Sequence, residues 1–221
     1  MFNIAIDGPA GAGKSTLSRM LADKLGFVYA DTGALYRAVG LFAVRHGISP
    51  QDAAGVQKLL PSIQLELALS PEGQRVLLCG EDVSLAIRVP EISKAASQVS
   101  AIPAVRAFLL DLQKDMASER DIVMDGRDIG TVVLPHAQLK IFLTATPEDR
   151  ARRRHAELME KGVDIAYEQV LDEVRQRDAQ DTERPIAPLR AADDAIIVDT
   201  TGYELEDSLK RLYAIAKEHR V

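Results

Sequence analysis

Near its amino terminus the chain has glycines, a lysine and a serine at the spacing that binds phosphate groups. Residues 8–15, GPAGAGKS, fit the pattern G-x-x-x-x-G-K-[ST] without departure, between an apolar run and a helical pattern. Backbone N–H groups of such a loop converge on phosphate oxygens at a helix N-terminus. Lys14 adds a charge for the outer phosphates of a nucleotide, and the Ser15 hydroxyl is a candidate ligand of Mg2+. The predicted nucleotide-binding residues are Gly8, Pro9, Ala10, Gly11, Ala12, Gly13, Lys14, Ser15 and Thr16.

A phosphate-binding loop predicts nucleotide binding and leaves the type of reaction open. Two classes of protein are compatible with it: an enzyme that transfers a phosphoryl group, and a GTP-dependent switch. A switch would normally carry an N/T-K-x-D motif that reads guanine, and the sequence contains none. An enzyme needs a second pocket for the phosphoryl acceptor, and the remaining polar motifs are suited to build one.

Two further polar segments follow predicted strands. DTGALYR, which starts at Asp31, comes at the end of the second strand, and DGRD, which starts at Asp125, comes at the end of the third. The carboxyl ends of parallel strands form the ligand-binding edge of an open α/β sheet. Arg127 is suited to bind phosphate, and the Asp125 carboxylate to hold Mg2+-bound water. Arg37 lies one turn inside the next helix, where capping does not explain it. The alternatives are a helix N-cap at Asp31 or Thr32 and a solvated β-turn at DGRD.

Arginines are concentrated in the charged helical stretch 150–190. Those that suggest a function are Arg150, Arg152, Arg153, Arg154, Arg175, Arg177 and Arg184. For any single one a solvated helix face is the expected environment, and Asp178, Asp181 and Glu183 could pair with some of them. As a set they suit phosphoryl transfer from ATP to another phosphate, because that reaction brings many negative charges together. A surface flap that closes over the substrates would deliver these cations and exclude water.

The elements that must position these residues alternate along the chain. Short apolar runs predict strands over residues 2–7, 27–30, 121–125, 139–143 and 195–199. Helical patterns lie between and after them, over residues 14–25, 34–46, 104–117 and 204–219. Apolar runs without polar alternation are typical of a parallel sheet that helices cover on both faces. The sequence therefore predicts an α/β fold with a five-stranded parallel core sheet.

The region from about 62 to 86 breaks this alternation and predicts a small antiparallel insert. Residues 63–69 and 75–79 have the pattern of two strands, with a turn at 70–73. The single cysteine of the chain, Cys79, falls on the second of these strands, where we expect it to be a small packing residue.

Composition limits the classes of protein that remain. The 221 residues are 47% hydrophobic and 27% charged, which is ordinary for a globular chain with a large core. A single cysteine excludes an intramolecular disulfide and zinc sites that need two or more cysteines. The net charge of −6 argues against nonspecific binding to duplex nucleic acid. The sequence has no basic signal-peptide start and no apolar run of about 18 residues, so we expect a soluble protein in a reducing compartment.

Five motifs together resemble those of bacterial cytidylate kinases, in order along nearly the whole chain. They are Gly8–Thr16 (GPAGAGKST), Asp31–Arg37 (DTGALYR), Ala95–Val99 (AASQV), Asp125–Val133 (DGRDIGTVV) and Arg184–Leu189 (RPIAPL). The first is generic to P-loop proteins, and the other four in combination are specific. The resemblance implies a P-loop kinase that transfers the γ-phosphoryl group of ATP to CMP or dCMP, with ATP as co-substrate and Mg2+ as cofactor.

The same resemblance implies a role for each matching residue. Arg37, Arg127, Arg177 and Arg184 would contact the CMP phosphate or the transferring group, with Asp31, Thr32 and Asp181 at or near the sugar, Tyr36 lining the pocket, and Ser97, Arg106 and Asp128 reading cytosine. The predicted catalytic residues are Lys14, Asp125, Arg127, Arg177 and Arg184, and the predicted metal ligand is Ser15. Thr32 replaces a serine of the family; it keeps the hydroxyl, and its methyl group could alter the tolerance of ribose and deoxyribose.

The resemblance also implies three parts. The core comprises residues 1–33, 118–148 and 191–221, the monophosphate-binding domain residues 34–117 with the antiparallel insert at 62–86, and the helical lid residues 149–190. The expected partners are the nucleotides CMP, dCMP and ATP, without nucleic acid or membrane, and the expected state is a cytoplasmic monomer. The alternatives are another small-molecule P-loop kinase, a GTP switch and a nucleic-acid-associated ATPase.

Overall fold

Two units make up the structure, a computed structural model that describes residues 1–70 and 73–219. One unit comprises Val28–Arg120 together with Met1, and the other comprises Phe2–Phe27 and the chain from Asp121 onward. The first unit contains most of the predicted monophosphate-binding part. The second contains the phosphate-binding loop and the predicted lid.

Strands and helices alternate as the sequence predicts. The strands are β1 (Asn3–Asp7), β2 (Val28–Asp31), β3 (Leu65–Ser70), β4 (Gly73–Leu78), β5 (Glu81–Asp82), β6 (Ile122–Gly126), β7 (Leu139–Thr144) and β8 (Ile196–Asp199). The α-helices are α1 (Lys14–Leu25), α2 (Thr32–Arg45), α3 (Ala53–Leu59), α4 (Pro90–Ser100), α5 (Pro103–Ser118), α6 (Pro147–Glu160), α7 (Tyr167–Glu183) and α8 (Leu205–His219). Single turns of 3-10 helix cover Leu60–Ser62 and Ala86–Arg88, and a short π-helix covers Ile129–Val133.

The main sheet has five strands in the order β2-β6-β1-β7-β8. Strand β1 pairs in parallel with β6 and β7, and β7 pairs in parallel with β8. Side chains on both faces of the central strands are buried, as Ile4, Ile6 and Met124 illustrate. The prediction of a five-stranded parallel sheet is confirmed, and each strand end lies within one residue of the prediction.

Helix α1 matches its predicted bounds because the local signals are strong. Leu17 and Leu21 recur at a spacing of four and are buried. The helix ends at Gly26, whose φ of 70° is the left-handed conformation that closes a helix. Helix α2, by contrast, begins at Thr32, two residues before its predicted start, because the Asp31 carboxylate caps its first turn.

In the first unit, α2 packs closely against α4. A Cβ atom at Gly40 would lie 3.0 Å from the Cβ of Ala95 and 3.2 Å from the backbone carbon of Ala95, so a side chain at residue 40 would push α4 away. Around this contact the buried side chains of α2, α4 and α5, including Leu35, Val99 and Leu109, form one hydrophobic core. This core holds α2 and α4, which carry several of the predicted substrate residues, in a fixed relation.

The predicted antiparallel insert is present as the three-stranded sheet β3-β4-β5. Of the predicted turn at 70–73, residues 71 and 72 lie outside the described residues. Strand β5, which the sequence pattern did not indicate, adds a short third strand. The prediction for Cys79 is wrong: it lies beyond β4, exposed and with a φ of 50°, in the tight turn before Gly80.

Helices α6 and α7 form the charged stretch and share only a small apolar cluster. Its buried members are Ala151, Leu158 and Val170. This agrees with the weak apolar stripe of their sequences. In the part of the chain that the structure describes, no helix combines the length and apolar character needed to cross a membrane.

Candidate active site

The phosphate-binding loop joins β1 to α1 in the second unit. A Cβ atom at residue 8 would overlap the backbone carbonyl oxygen of Leu143 on β7, so only Gly8 fits where the chain leaves β1. Helix α1 begins after Gly13, which has a φ of 83° and no side chain to cap the first N–H groups. These N–H groups and the positive end of the helix dipole suit an anionic ligand such as a nucleotide phosphate.

Lys14 is buried at the first position of α1, and its Nζ donates a hydrogen bond to the carbonyl oxygen of Pro9 at 2.7 Å. Burial lowers the pKa of Lys14 well below its usual value, and the nearby positive charge of Arg127 lowers it further. Asp125 and Asp181 act in the opposite direction and favour the charged lysine. An anionic phosphate in the loop would also favour the charged form.

Ser15 and Asp125 face each other at the carboxyl edge of the sheet. The Ser15 Oγ donates to the Asp125 Oδ2 at 2.9 Å, and Asp125, on β6 in register with Ile6 of β1, is buried. A hydroxyl and a carboxylate supply the oxygen ligands that Mg2+ prefers, so this pair fits the predicted metal. Among residues 1–70 and 73–219, no group of three or more His, Cys, Asp or Glu side chains forms a metal site. The Ser15–Asp125 pair therefore suits an ion whose other ligands are water and phosphate oxygens.

A cluster of arginines and aspartates lies in the same unit. Arg127 donates through Nε to the Asp181 Oδ2 at 2.8 Å, and Arg184 lies with its Nη2 3.7 Å from the Asp128 Oδ1. Burial acts to raise the pKa of Asp181, but Arg127, with Arg177 and Arg184, outweighs it and holds that pKa below its usual value. The structure therefore brings together these five predicted site residues, from the loop after β6, from α7 and from the segment after α7.

Arg184 is oriented by a hydrogen bond to Ala187, a residue with a strained backbone. The Arg184 Nε donates to the Ala187 carbonyl oxygen at 2.6 Å. Ala187 has a φ of 50°, which is rare for a residue with a Cβ. Strain of this kind persists where the surrounding structure requires it, often at functional sites. The motif RPIAPL thus folds back on its own first residue.

The charged stretch needs one correction at Arg150. This side chain is only 2% exposed and is neither a solvated charge nor a free phosphate ligand. Its Nε donates to the carbonyl oxygen of Ala145 and its Nη1 to that of Ala10 in the phosphate-binding loop, both at 2.9 Å. It also forms a two-point ion pair with Asp178 of α7. Arg150 therefore joins the loop, the end of β7 and both charged helices.

Most other arginines of this stretch pair with carboxylates on its helices. The pairs are Arg152 and Arg153 with Asp149, Arg154 with Glu157, and Arg175 with Glu148. Arg153 also donates to the carbonyl oxygen of Thr200 at 2.7 Å. Of the carboxylates that the sequence offered as partners, Asp178 pairs with Arg150 of this stretch, and Asp181 pairs with Arg127 outside it.

Asp7 is a buried carboxylate that sequence reasoning missed. It ends β1, immediately before the phosphate-binding loop, and accepts hydrogen bonds from the backbone N–H groups of Ile129 and Gly130, both at 2.7 Å. These residues begin the π-helix that follows Asp128. Burial raises the pKa of Asp7 to about 6, although the two hydrogen bonds act against the rise. No local pattern indicates this role, because the partners lie more than 120 residues away.

In the first unit, Asp31 is the centre of the predicted acceptor motif. Its Oδ1 accepts the backbone N–H of Ala34 at 3.2 Å, so the N-cap alternative is correct. Its Oδ2 also binds Nη1 of Arg37 at 3.2 Å, with both side chains partly exposed. Thr32 is buried as the first residue of α2. One carboxylate thus caps the helix and orients a cation that suits phosphate.

The remaining predicted substrate residues lie on α2, α4 and α5. The Arg106 guanidinium lies 5.7 Å from the centre of the Tyr36 ring, in a cation–π arrangement, and its Nη1 donates to the carbonyl oxygen of Ser100 at 3.3 Å. Ser97 lies in the last turn of α4, where its carbonyl oxygen accepts the Ser100 hydroxyl at 2.8 Å. Tyr36, Ser97 and Arg106 belong to three helices that one core holds.

A parallel α/β sheet with this loop, a buried lysine, a serine–carboxylate pair and an arginine cluster defines the P-loop kinase class of protein. A structure of an uncharacterized protein from Eubacterium ventriosum has the same overall fold, with a TM-score of 0.56 at 10% identity and 98% of each chain covered. The family model for cytidylate kinase matches residues 4–218, so the chain belongs to the cytidylate kinase family.

Relatives from bacteria agree with this family. The cytidylate kinase of Carboxydothermus hydrogenoformans is 51% identical over 212 residues, 96% of each chain. That of Caldicellulosiruptor bescii is 52% identical over 210 residues, 95% of this chain and 93% of the relative. The resemblance inferred from five motifs is therefore confirmed, and so is the choice of a phosphotransferase over a GTP switch.

Proposed function

We propose that the predicted site residues carry the reaction of a (d)CMP kinase, in which the γ-phosphoryl group of ATP moves to a phosphate oxygen of CMP or dCMP. The bond between the γ-phosphorus and the bridging oxygen of ADP breaks, the bond to the acceptor oxygen forms, and CDP or dCDP leaves with ADP. The observation that carries the proposal is the arginine cluster of Arg127, Arg177 and Arg184 in the same unit as Lys14.

On the donor side, residues 8–16 bind the phosphates of ATP through backbone N–H groups. Lys14 moves from the Pro9 carbonyl oxygen to the outer phosphates. Ser15 would hold Mg2+ directly, and Asp125 would hold it through water. When bound, this ion neutralises phosphate charge. The chain keeps the Ser15 hydroxyl, in the first turn of α1, within hydrogen-bond distance of the Asp125 carboxylate on β6.

On the acceptor side, Arg37 and Arg127 bind the phosphate of CMP. Asp31 orients Arg37, and Asp181 orients Arg127 through the ion pairs seen in the structure. Asp31, Thr32 and Asp181 lie at or near the sugar of the acceptor nucleotide. Phosphate oxygens are stronger partners for guanidinium groups than solvent is, because the hydrogen bonds are charge-assisted and bidentate.

Arg177 and Arg184 stabilise the negative charge of the γ-phosphoryl group during its transfer. Both lower the pKa of Asp181, as Arg127 does, and this shared effect supports a common role. A preorganised cation that faces developing charge lowers the barrier without reorganisation at the moment of reaction. Helices α6 and α7 cover most of the predicted lid residues 149–190, and α7 and the segment after it carry these two cations.

We assign the selection of cytosine to Asp128, Arg106 and Ser97, with Tyr36 as a pocket-lining residue. The base offers an amino donor, a ring-nitrogen acceptor and a carbonyl acceptor. A carboxylate accepts, so Asp128 suits the amino group, and a guanidinium donates, so Arg106 suits the acceptors. Uracil has a carbonyl in place of the amino group and a ring N–H in place of the ring-nitrogen acceptor. It would therefore place an acceptor against the Asp128 carboxylate and a donor against the Arg106 guanidinium.

Release of ADP in a coupled assay tests the function. We expect CMP and dCMP to stimulate ATP turnover, with a smaller effect of UMP and little effect of AMP, GMP or shikimate. The Lys14→Ala variant is the control for contaminating kinases. If no monophosphate stimulates turnover, the kinase function is wrong; if shikimate alone does, the acceptor assignment is wrong.

The proposed assembly is a monomer that acts in the cytoplasm, where its nucleotide substrates are found. Both units each have a hydrophobic core of their own, which supports a chain that is stable without a partner. Light scattering should give the mass of one chain, 24.1 kDa, at micromolar concentration with and without nucleotides. A mass of twice that value would contradict the monomer.

A further inference from the structure

Gln74 of the antiparallel insert binds both main-chain groups of Asp31. The Gln74 Oε1 accepts the Asp31 backbone N–H at 2.8 Å, and its Nε2 donates to the Asp31 carbonyl oxygen at 3.3 Å. The opposite orientation of the amide would set donor against donor and acceptor against acceptor. The Gln74 amide thus forms the two backbone hydrogen bonds that a neighbouring strand would otherwise make to Asp31, at the end of β2.

Gln74 is a polar residue on the apolar face of its strand. Residues 74, 76 and 78 share one face of β4, and Val76 and Leu78 are each only 2% exposed. Arg75 lies on the opposite face and pairs with Asp82 at 3.8 Å, with its side chain 60% exposed. A polar side chain in line with two core residues needs a specific partner, and Asp31 is that partner.

Asp31 passes this constraint to the phosphate-binding cation. Its carboxylate caps α2 through the N–H of Ala34 and holds Arg37 at 3.2 Å. The direction of the carboxylate depends on the backbone of Asp31, and Gln74 fixes that backbone from the side. The three residues form a chain from the insert to the guanidinium of Arg37.

The insert also holds the other end of α2. Arg45, in the last turn of the helix, forms a two-point ion pair with Glu81 of β5, with distances of 2.7 and 2.9 Å. Both side chains are exposed, so the pair contributes little to the free energy of unfolding. It shows where the insert contacts α2. The insert therefore contacts α2 next to the predicted acceptor residues and again four turns later.

We propose that Gln74 is a positioning residue for the acceptor nucleotide, which acts by fixing the Asp31 backbone and through it the Arg37 guanidinium. The inference rests on the proposed function, since Asp31 and Arg37 are taken to bind CMP. In this proposal the antiparallel insert contributes to substrate binding by positioning residues outside it and not by contacting the substrate itself.

The test compares Gln74→Met, which keeps the length of the side chain and removes both hydrogen bonds, with wild type and with Arg75→Ala on the opposite face. We expect Gln74→Met to raise KM for CMP about five- to tenfold, because two hydrogen bonds that order the site are lost. KM for ATP should change less than twofold. CMP binding by calorimetry, without ATP, should weaken by a similar factor. Arg75→Ala should match wild type in all three measurements.

A double variant separates positioning from a general structural role. In the Arg37→Ala background the Gln74→Met change should raise KM for CMP by a smaller factor than it does in wild type, because Arg37, one of the two CMP-binding residues that Gln74 positions, is gone. Gln74→Glu, which sets a carboxylate oxygen against the Asp31 carbonyl, supplies the same test should Gln74→Met not fold. Equal rises in KM for CMP and ATP, additive effects in the double variant, or an unchanged KM for CMP would overturn the inference. Absence of CMP phosphorylation in wild type would instead overturn the proposed function.

Discussion

Lys14 is the residue whose removal best separates the donor side from the acceptor side. Lys14→Ala should lower kcat by a factor of 100 to 1,000, because a preorganised charge at the transferring phosphates contributes about 3 kcal/mol to the transition state. Binding of CMP, measured by calorimetry, should stay within twofold of wild type. Arg19→Ala, an exposed cation on the same helix, is the matched control. An unaltered turnover number would contradict the assignment of the phosphate-binding loop.

Asp128 is the residue on which the choice of cytosine depends. An unpaired or clashing polar group in a desolvated pocket costs about 1–3 kcal/mol, so wild type should prefer CMP over UMP by roughly tenfold to several hundredfold. Asp128→Ala should lower kcat/KM much more for CMP than for UMP and narrow this ratio. Asp111→Ala on the exposed face of α5 should leave the ratio unchanged.

Asp128 also lies 3.7 Å from Arg184, and this pair offers the competing account. If the carboxylate only positions Arg184, then both substrates should lose the same factor and the melting temperature should fall. That outcome would remove Asp128 from base selection and leave Arg106 and Ser97 as the candidates.

At the scale of elements, Asp7 links β1 to the π-helix and makes stability depend on pH. Its pKa is about 6 in the folded chain, because burial penalises the carboxylate, against 3.8 in a free chain. The fold therefore favours the protonated group. Its contribution to the free energy of unfolding is complete below about pH 4 and is lost as pH rises through about 6.

The Asp7→Asn variant should lack this pH dependence. From pH 4 to pH 7 the wild-type free energy of unfolding should decline relative to the variant by about 3 kcal/mol, the equivalent of a shift of roughly two pKa units. Urea unfolding at both pH values measures the difference. Parallel stability profiles for the two proteins would contradict the buried, raised carboxylate.

The lid formed by α6 and α7 should close when both substrates bind. Its helices share only a small apolar cluster, and their exposed basic residues, such as Lys161 and Arg175, are trypsin sites. We expect cleavage there to be fast in the free enzyme and slow with CMP and a non-hydrolysable ATP analogue present. Cleavage at the exposed Lys210 of α8 is the internal control. Equal rates at Lys161 in both states would count against a lid.

At the scale of the whole molecule, local signals were enough for the order of elements and for most of the site. Alternating apolar runs gave the five parallel strands, and residues 8–15 gave the phosphate-binding loop. The roles of Asp7, Gln74 and Arg150 could not be foreseen, since each depends on partners 28 to 140 residues away that only the folded chain brings near. Burial of Arg150 and exposure of Cys79 likewise follow from packing.

The movement of label from ATP to product tests the central claim most directly. With ATP labelled in the γ-phosphate and CMP as acceptor, chromatography should show the label in the β-phosphate of CDP, in equal amount to the ADP formed. The Lys14→Ala variant should form almost none. Label found only in inorganic phosphate, or formation of ADP that does not depend on CMP, would contradict phosphoryl transfer to the monophosphate.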